Sequence, residues 1–229
     1  DMLTRFQDQI IKVNSLINTF APDEHKKDWQ VNVQEGTVAF GSAYHNWGIT
    51  VPFMHKTGVD FKQIFEYCHS DNQRELAKKA PVHEVLLDMA VEKLPSPLVA
   101  QEYRIPNIWQ GEQESQVGEA MLKCDPEGPL SLMITKIWMD PHAGEVAVGR
   151  VYSGSVAQGE SVWAIGAGKA ERVQQVSMMV GGDRIQVPSV SAGNIAALTG
   201  VRSAAAGVTI AREQDATPFE AIRHYSEPV

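Results

Sequence analysis

The sequence predicts two folds in series: an α/β part, mainly helical, over residues 1–126, and an all-β barrel over residues 127–215. Three observations predict this. Met2, Leu3, Phe6, Ile10, Val13, Ile17 and Phe20 recur at spacings of three and four, the stripe of an amphipathic helix. From Pro129 onward helical periodicity is absent, and short runs rich in Val, Ile, Thr and Met alternate with glycine-containing turns. Several short strands at that spacing are the pattern of a small closed barrel.

The opening helix stops at Ala21-Pro22, where proline cannot continue it. It starts at the first residue with no capping sequence ahead of it, so the chain is expected to be an internal piece of a longer protein. Thr37-Val38-Ala39-Phe40 reads as a buried strand that ends in the tight loop Gly41-Ser42-Ala43. One or two helices are expected between Trp47 and Ala80, punctuated by Pro52 and Gly58. Val82, Val85, Leu86 and Met89 mark another helix, opened after Pro81 and closed by Leu94-Pro95-Ser96-Pro97. Residues 98–128, rich in Pro, Gly, Gln and Glu, are expected to be an irregular surface linker.

In the second part the expected strands are Leu130–Met139, Glu145–Tyr152, Ser161–Ile165, Arg172–Val180, Arg184–Val187, Asn194–Leu198 and Val208–Ala211. Residues 216–229 turn strand-like again and are expected to begin a further domain.

Composition narrows the function classes. The net charge of −8 argues against a general nucleic-acid binder, so any RNA contact must be local. No apolar run is long enough to span a bilayer, and neither a membrane nor DNA is an expected partner. Cys68 and Cys124 are too few for a disulfide framework or a thiolate zinc site, and two reduced, mostly buried thiols in a cytoplasmic protein are expected. His83-Glu84 lacks a second histidine four residues on, so the zinc-protease pattern fails and no metal ligands are expected. Asp88 and Glu92 read as a solvated acidic face rather than a catalytic carboxylate pair, and no catalytic residue is expected.

Four local patterns occur in a fixed order. The first is the strand followed by Gly41-Ser42-Ala43, and the second is the helix ending in Leu94-Pro95-Ser96-Pro97. The third is Asp140-Pro141-His142-Ala143-Gly144-Glu145 with Gly149-Arg150-Val151-Tyr152-Ser153-Gly154. The fourth is Ala192-Gly193-Asn194-Ile195 through Gly200. The ordered set resembles the translocase-type elongation factors among the translational GTPases, in their archaeal form, along essentially the whole chain.

That resemblance implies a fold: residues 1–126 as the C-terminal part of a GTP-binding domain with its linker, 127–215 as the translation-protein barrel called domain II, and 216–229 as the start of domain III. It implies a parent that hydrolyses GTP, with Mg²⁺, to move tRNA and mRNA through the ribosome, with ribosomal RNA and proteins and GTP or GDP as partners. Ser42 and Ala43 would meet the guanine base through the backbone, where small residues let the ring approach. Arg150 and Arg184 are candidates for contact with ribosomal RNA, with exterior salt bridges as the equally plain alternative.

The chain contains no G-x-x-x-x-G-K-[ST] phosphate loop, no Asp-x-x-Gly followed by histidine and no Asn-Lys-x-Asp. It is therefore expected neither to hydrolyse GTP nor to hold a cofactor tightly by itself. Two alternatives stay open: a translational GTPase of another task, such as a release, initiation or ribosome-assembly factor, and a self-standing binding module built on this barrel.

Overall fold

Helix α1 (Met2–Phe20) forms over the predicted stripe, with Ile10, Asn14 and Ile17 as its half-buried positions. These lie four and three residues apart, one face of a 3.6-residue turn. Asn14 ties that face to the segment that follows: its Nδ2 donates to Val31 O at 3.0 Å and its Oδ1 accepts from Val31 N at 2.8 Å. The computed structural model that supplies these coordinates describes residues 2–70 and 72–222, and the chain divides into two compact units, Asp1–Leu94 and Pro95–Val229.

In the first unit, β1 (Phe40–Ser42) and β2 (Trp47–Ile49) form a short antiparallel hairpin. The strand expected from Thr37 begins three residues late and is half-buried rather than buried. Thr37 explains the delay: its Oγ1 accepts from Asn32 N at 2.6 Å and donates to Asn32 O at 3.0 Å, closing a local loop instead of entering a ladder.

Three helices follow where one or two were expected: α2 (Val51–Thr57), α3 (Phe61–His69) and α4 (Gln73–Lys79). Thr50 and Asp60 cap the first two by accepting from Phe53 N and Gln63 N, and Pro52 sits in the first turn, where no N–H is needed. Gly58 ends α2 in the left-handed region, at φ 73°. Helix α5 (Val82–Lys93) then matches the predicted element. Trp47, Ile49, Phe53, Val59, Ile64, Leu76, Ala80 and Val85 form the core of this unit.

The second unit begins at Pro95. The segment expected to be an irregular linker holds α6 (Pro97–Ile108) and α7 (Gln116–Leu122). Pro97 occupies the first turn of α6, with Ser96 as its cap, so a proline read as a helix stop is a helix start. Pro106 falls in the last turn, where it removes the N–H that would donate to Glu102 O. These helices pack with the strands: Ile105, Trp109, Met121, Met133, Tyr152 and Phe219 make one buried cluster. The expected domain boundary at residue 126 thus falls inside the second compact unit.

The strands are β3 (Ser131–Asp140), β4 (Gly144–Ser153), β5 (Ser155–Ala157), β6 (Ser161–Ala164), β7 (Ala170–Arg172), β8 (Gln175–Val180), β9 (Asp183–Val187), β10 (Ser189–Ser191), β11 (Ile195–Thr199) and β12 (Thr209–Ala211). Eight of them pair in the order β7-β6-β12-β3-β4-β11-β8-β9, and β5 pairs with β10 in a separate ribbon. β7 and β8 are six places apart in that order, which would be about 29 Å in a flat sheet. Only Val173 and Gln174 join them, a link that spans roughly 10 Å at full stretch. The sheet must therefore roll up, and Val156, Val162, Val173, Val176, Val190, Leu198 and Ile210 meet in a single core inside it.

Local chemistry shapes the roll. A Cβ on Gly149 would lie 2.4 Å from Met133 O, so only glycine lets β4 approach β3 this closely. A register shift between Ile134 and Lys136 leaves Thr135 as the extra residue of a bulge. The strand-like tail is described only to residue 222; it pairs Phe219 with Trp109 and sends Glu220 N to Ile108 O at 2.9 Å. The rest of the expected further domain, residues 223–229, lies outside the described residues.

Candidate functional site

Two places carry the residues singled out from the sequence. The first is the loop that joins β1 to β2. Ser42 pairs with Trp47 across the hairpin, so residues 43–46 form the turn. Ser42 Oγ accepts from His45 N at 3.3 Å, and Ala43 O accepts from Asn46 N at 3.2 Å. Asn46 takes φ 57°, a conformation asparagine tolerates.

These bonds fix the turn and leave its outer edge bare. Ala43 is exposed, and its N–H meets no protein acceptor among the described residues. A small residue with a free amide can donate one in-plane hydrogen bond to a carbonyl oxygen of a flat ring, with no side chain in the way. Beside it, Tyr44, His45, Asn46, Asn72, Gln73, Arg74 and Ala77 line a cleft of about 610 Å³. Trp47 Nε1 donates to Gln73 Oε1 at 2.9 Å, which holds α4 against the hairpin.

The second place is the outer face of the barrel. Arg150 on β4 lies opposite Met133 on one side and Ile195 on the other, and its guanidinium carbon stands 6.0 Å from the centre of the Tyr152 ring. It has no carboxylate within salt-bridge distance among the described residues. Arg184 on β9 is differently placed: its Nε is 3.7 Å from Asp140 Oδ2, and its Nη1 donates to Gln175 Oε1 at 3.3 Å. Both side chains of that ion pair are largely buried, at 18% and 15% exposure, so Arg184 joins the β3–β4 hairpin to β9. Two strands, β11 and β8, separate the two arginines.

Electrostatics agree with this division. Backbone N–H groups of Ala143 and His142 hold the Asp140 carboxyl below its usual range, and Arg184 adds to the effect. Burial pushes the Tyr152 phenol up, against a pull from Arg150 and Arg104. Among the described residues no group of three or more His, Cys, Asp or Glu side chains is placed to hold a metal ion, and no helix is long and apolar enough to cross a membrane. Sequence reasoning missed Arg104, because the prolines around it hid the helix that carries it.

Comparison with known proteins bears on both units. A family model described as Elongation factor G domain 2 matches residues 129–212, which are the rolled sheet. Elongation factor 2 of Methanococcus maripaludis (strain S2) is 52% identical over 227 residues, covering 98% of this chain and 31% of the relative. That of Picrophilus torridus is 52% identical over 229 residues, covering 100% of this chain and 31% of the relative. Elongation factor 2 of Methanopyrus kandleri is 51% identical over 230 residues, covering 100% of this chain but 18% of the relative. The similarity runs through both units and not through the barrel alone. The chain belongs to the elongation factor 2 family, and it spans about a third of the length of the first two of these relatives.

Proposed function

We propose that this chain works as part of a ribosomal translocation factor, a GTPase that moves tRNA and mRNA during protein synthesis in the cytoplasm. The observation that carries the reading is colinear identity of 52% across both units, since a barrel reused for another task would match over the barrel alone. Residues 1–126 supply the base side of a guanine-nucleotide site, and the barrel passes the nucleotide state to the ribosome.

In this reading the free Ala43 N–H donates to the guanine carbonyl oxygen, and Ser42 holds the turn that presents it. The residues of the chain fit the base and no more of the nucleotide. The G-x-x-x-x-G-K-[ST] loop, which would bring the backbone amides, the lysine and the hydroxyl for Mg²⁺, is not in its sequence. Bound GTP and Mg²⁺ would supply the bond that is broken and the charge that stabilises its breaking; this chain would orient the base. On the barrel, Arg150 and Arg184 are the candidate contacts with ribosomal RNA, and the Arg184 ion pair with Asp140 makes Arg150 the stronger of the two.

The purified chain is predicted to show no GTP turnover and only weak guanine-nucleotide binding, because phosphates supply most of the charge-assisted bonds. Nucleotide-dependent phosphate release above a protein-free blank would refute this division of labour.

A further inference from the structure

In the rolled sheet, the far half of the β3–β4 hairpin has no third strand beside it. β12 pairs with β3 only as far as Met133, and β11 pairs with β4 only from Ala147 onward. Residues 136–146 therefore pair with each other alone, as a two-stranded arm. The Thr135 bulge sits at its root, where the ladder is already interrupted.

The arm is bent back over the sheet. β3, which carries Asp140 at the end of the arm, is four places from β9, roughly 19 Å in a flat sheet. Arg184 Nε on β9 nevertheless lies 3.7 Å from Asp140 Oδ2. The arm thus crosses β11 and β8 to reach β9.

Side-chain alternation shows which face it crosses. Ala147, Val176, Ala196 and Leu198 belong to the barrel core, so Val146, Ser177, Ala197 and Thr199 point outward. Arg184 shares that outward face, since its neighbour Ile185 lies opposite Met178, which packs on the core. Outward positions of a barrel usually meet water, yet these four are buried. Ile195, outward at the near end of β11, is 50% exposed, so the cover starts beyond it. Trp138 lies opposite Val146 and two residues from Asp140, on the face that the ion pair turns inward, and it is half-buried.

Little holds this cover down. Among the described residues the Asp140–Arg184 pair is the only ion pair or side-chain hydrogen bond between the arm and another strand. On the covered face, the buried Ser177 Oγ has no hydrogen-bond partner, which favours any state that lets water reach it.

We propose that residues 136–146 form a latched arm, hinged at the Thr135 bulge and held over β11 and β8 by the Asp140–Arg184 pair, which opens to bare Trp138, Val146 and Ser177. Two opposed effects set the balance. Closing buries apolar surface and forms the ion pair; opening hydrates the Ser177 hydroxyl and both charged groups. The device lies within one compact unit, so it goes beyond the translation reading and does not depend on it.

Ser177→Cys puts a thiol of nearly the same size at a position that reagent cannot reach while the arm is closed. The test is iodoacetamide labelling of the whole chain carrying that change, read site by site by peptide mapping. Cys124, in the same unit, reports on the rest of the fold. Adding Arg184→Gln or Asp140→Asn is expected to speed labelling at position 177 roughly tenfold or more and to leave Cys124 unchanged. Arg184→Lys keeps a charge facing Asp140, and labelling should stay close to that of the Ser177→Cys chain. The Gln and Asn variants break the pair from opposite ends, so either decides the test if the other does not fold.

If labelling at position 177 is no faster with the pair broken than with it intact, the pair is not a latch and the proposal is overturned. If Cys124 accelerates in step, the pair stabilises the whole unit and no separate arm moves, which overturns it equally.

Discussion

Single residues decide how the chain responds to reagents and pH. Cys124 is half-buried in the left-handed region at φ 52°, and desolvation pushes its thiol up, while Cys68 is exposed. Iodoacetamide at neutral pH should label Cys68 much faster than Cys124, as peptide mapping would show; equal rates would contradict the burial. Asp140 makes a second residue-scale prediction. Its native pKa is held low by the N–H groups of Ala143 and His142, so its contribution to stability is present above the ordinary carboxylate value of about 3.9. That contribution is lost as pH falls through the lower native value. The melting temperature of the parent chain should therefore exceed that of Asp140→Asn at pH near 6, and the gap should close in acid. A gap that stays constant with pH would show that the carboxylate charge plays no part.

Elements explain what could be read in advance and what could not. Helix α1, helix α5 and most long strands follow a 3.6- or 2-residue period, so they were legible from the order of apolar residues. Helices α6 and α7 were not. Their buried positions, such as Ala100, Gln101 and Ile105, include a polar residue and are flanked by Pro97 and Pro106, which read as extended chain. Strands β5 and β10 are three residues long and built of Ser, Val and Ala, too short to show alternation. The Ser42–Ala43 loop could be placed as a turn, while its hairpin geometry could not, because the Thr37–Asn32 bonds that shorten β1 are not visible in apolar spacing. Gln101 ties these helices to the barrel: its Nε2 bonds both Met121 O and Tyr152 O from a site only 1% exposed. Gln101→Ala would leave two buried carbonyls without that donor and open a void, a loss of about 2–4 kcal/mol. Denaturant unfolding should report it as a lower midpoint; an unchanged midpoint would mean that α6 and α7 contribute little to the second unit.

At the scale of the whole molecule, the two units carry different kinds of information. The barrel is recognisable by its turns and its Gly149 approach, and a family model matches it. The first unit has little in its fold to name it: a two-stranded hairpin and five helices over a small core. Its assignment as the base side of a guanine-nucleotide site rests on the Ser42–Ala43 loop and on identity to relatives about three times as long. The most direct test of that assignment is ribosome-dependent GTP hydrolysis and translocation by the Methanococcus maripaludis factor with its matching stretch replaced by this chain. Hydrolysis and translocation at rates comparable to the parent factor are expected, with loss of nucleotide affinity when Ala43 is changed to Val. A folded chimera that binds the ribosome yet neither hydrolyses GTP nor translocates would contradict it.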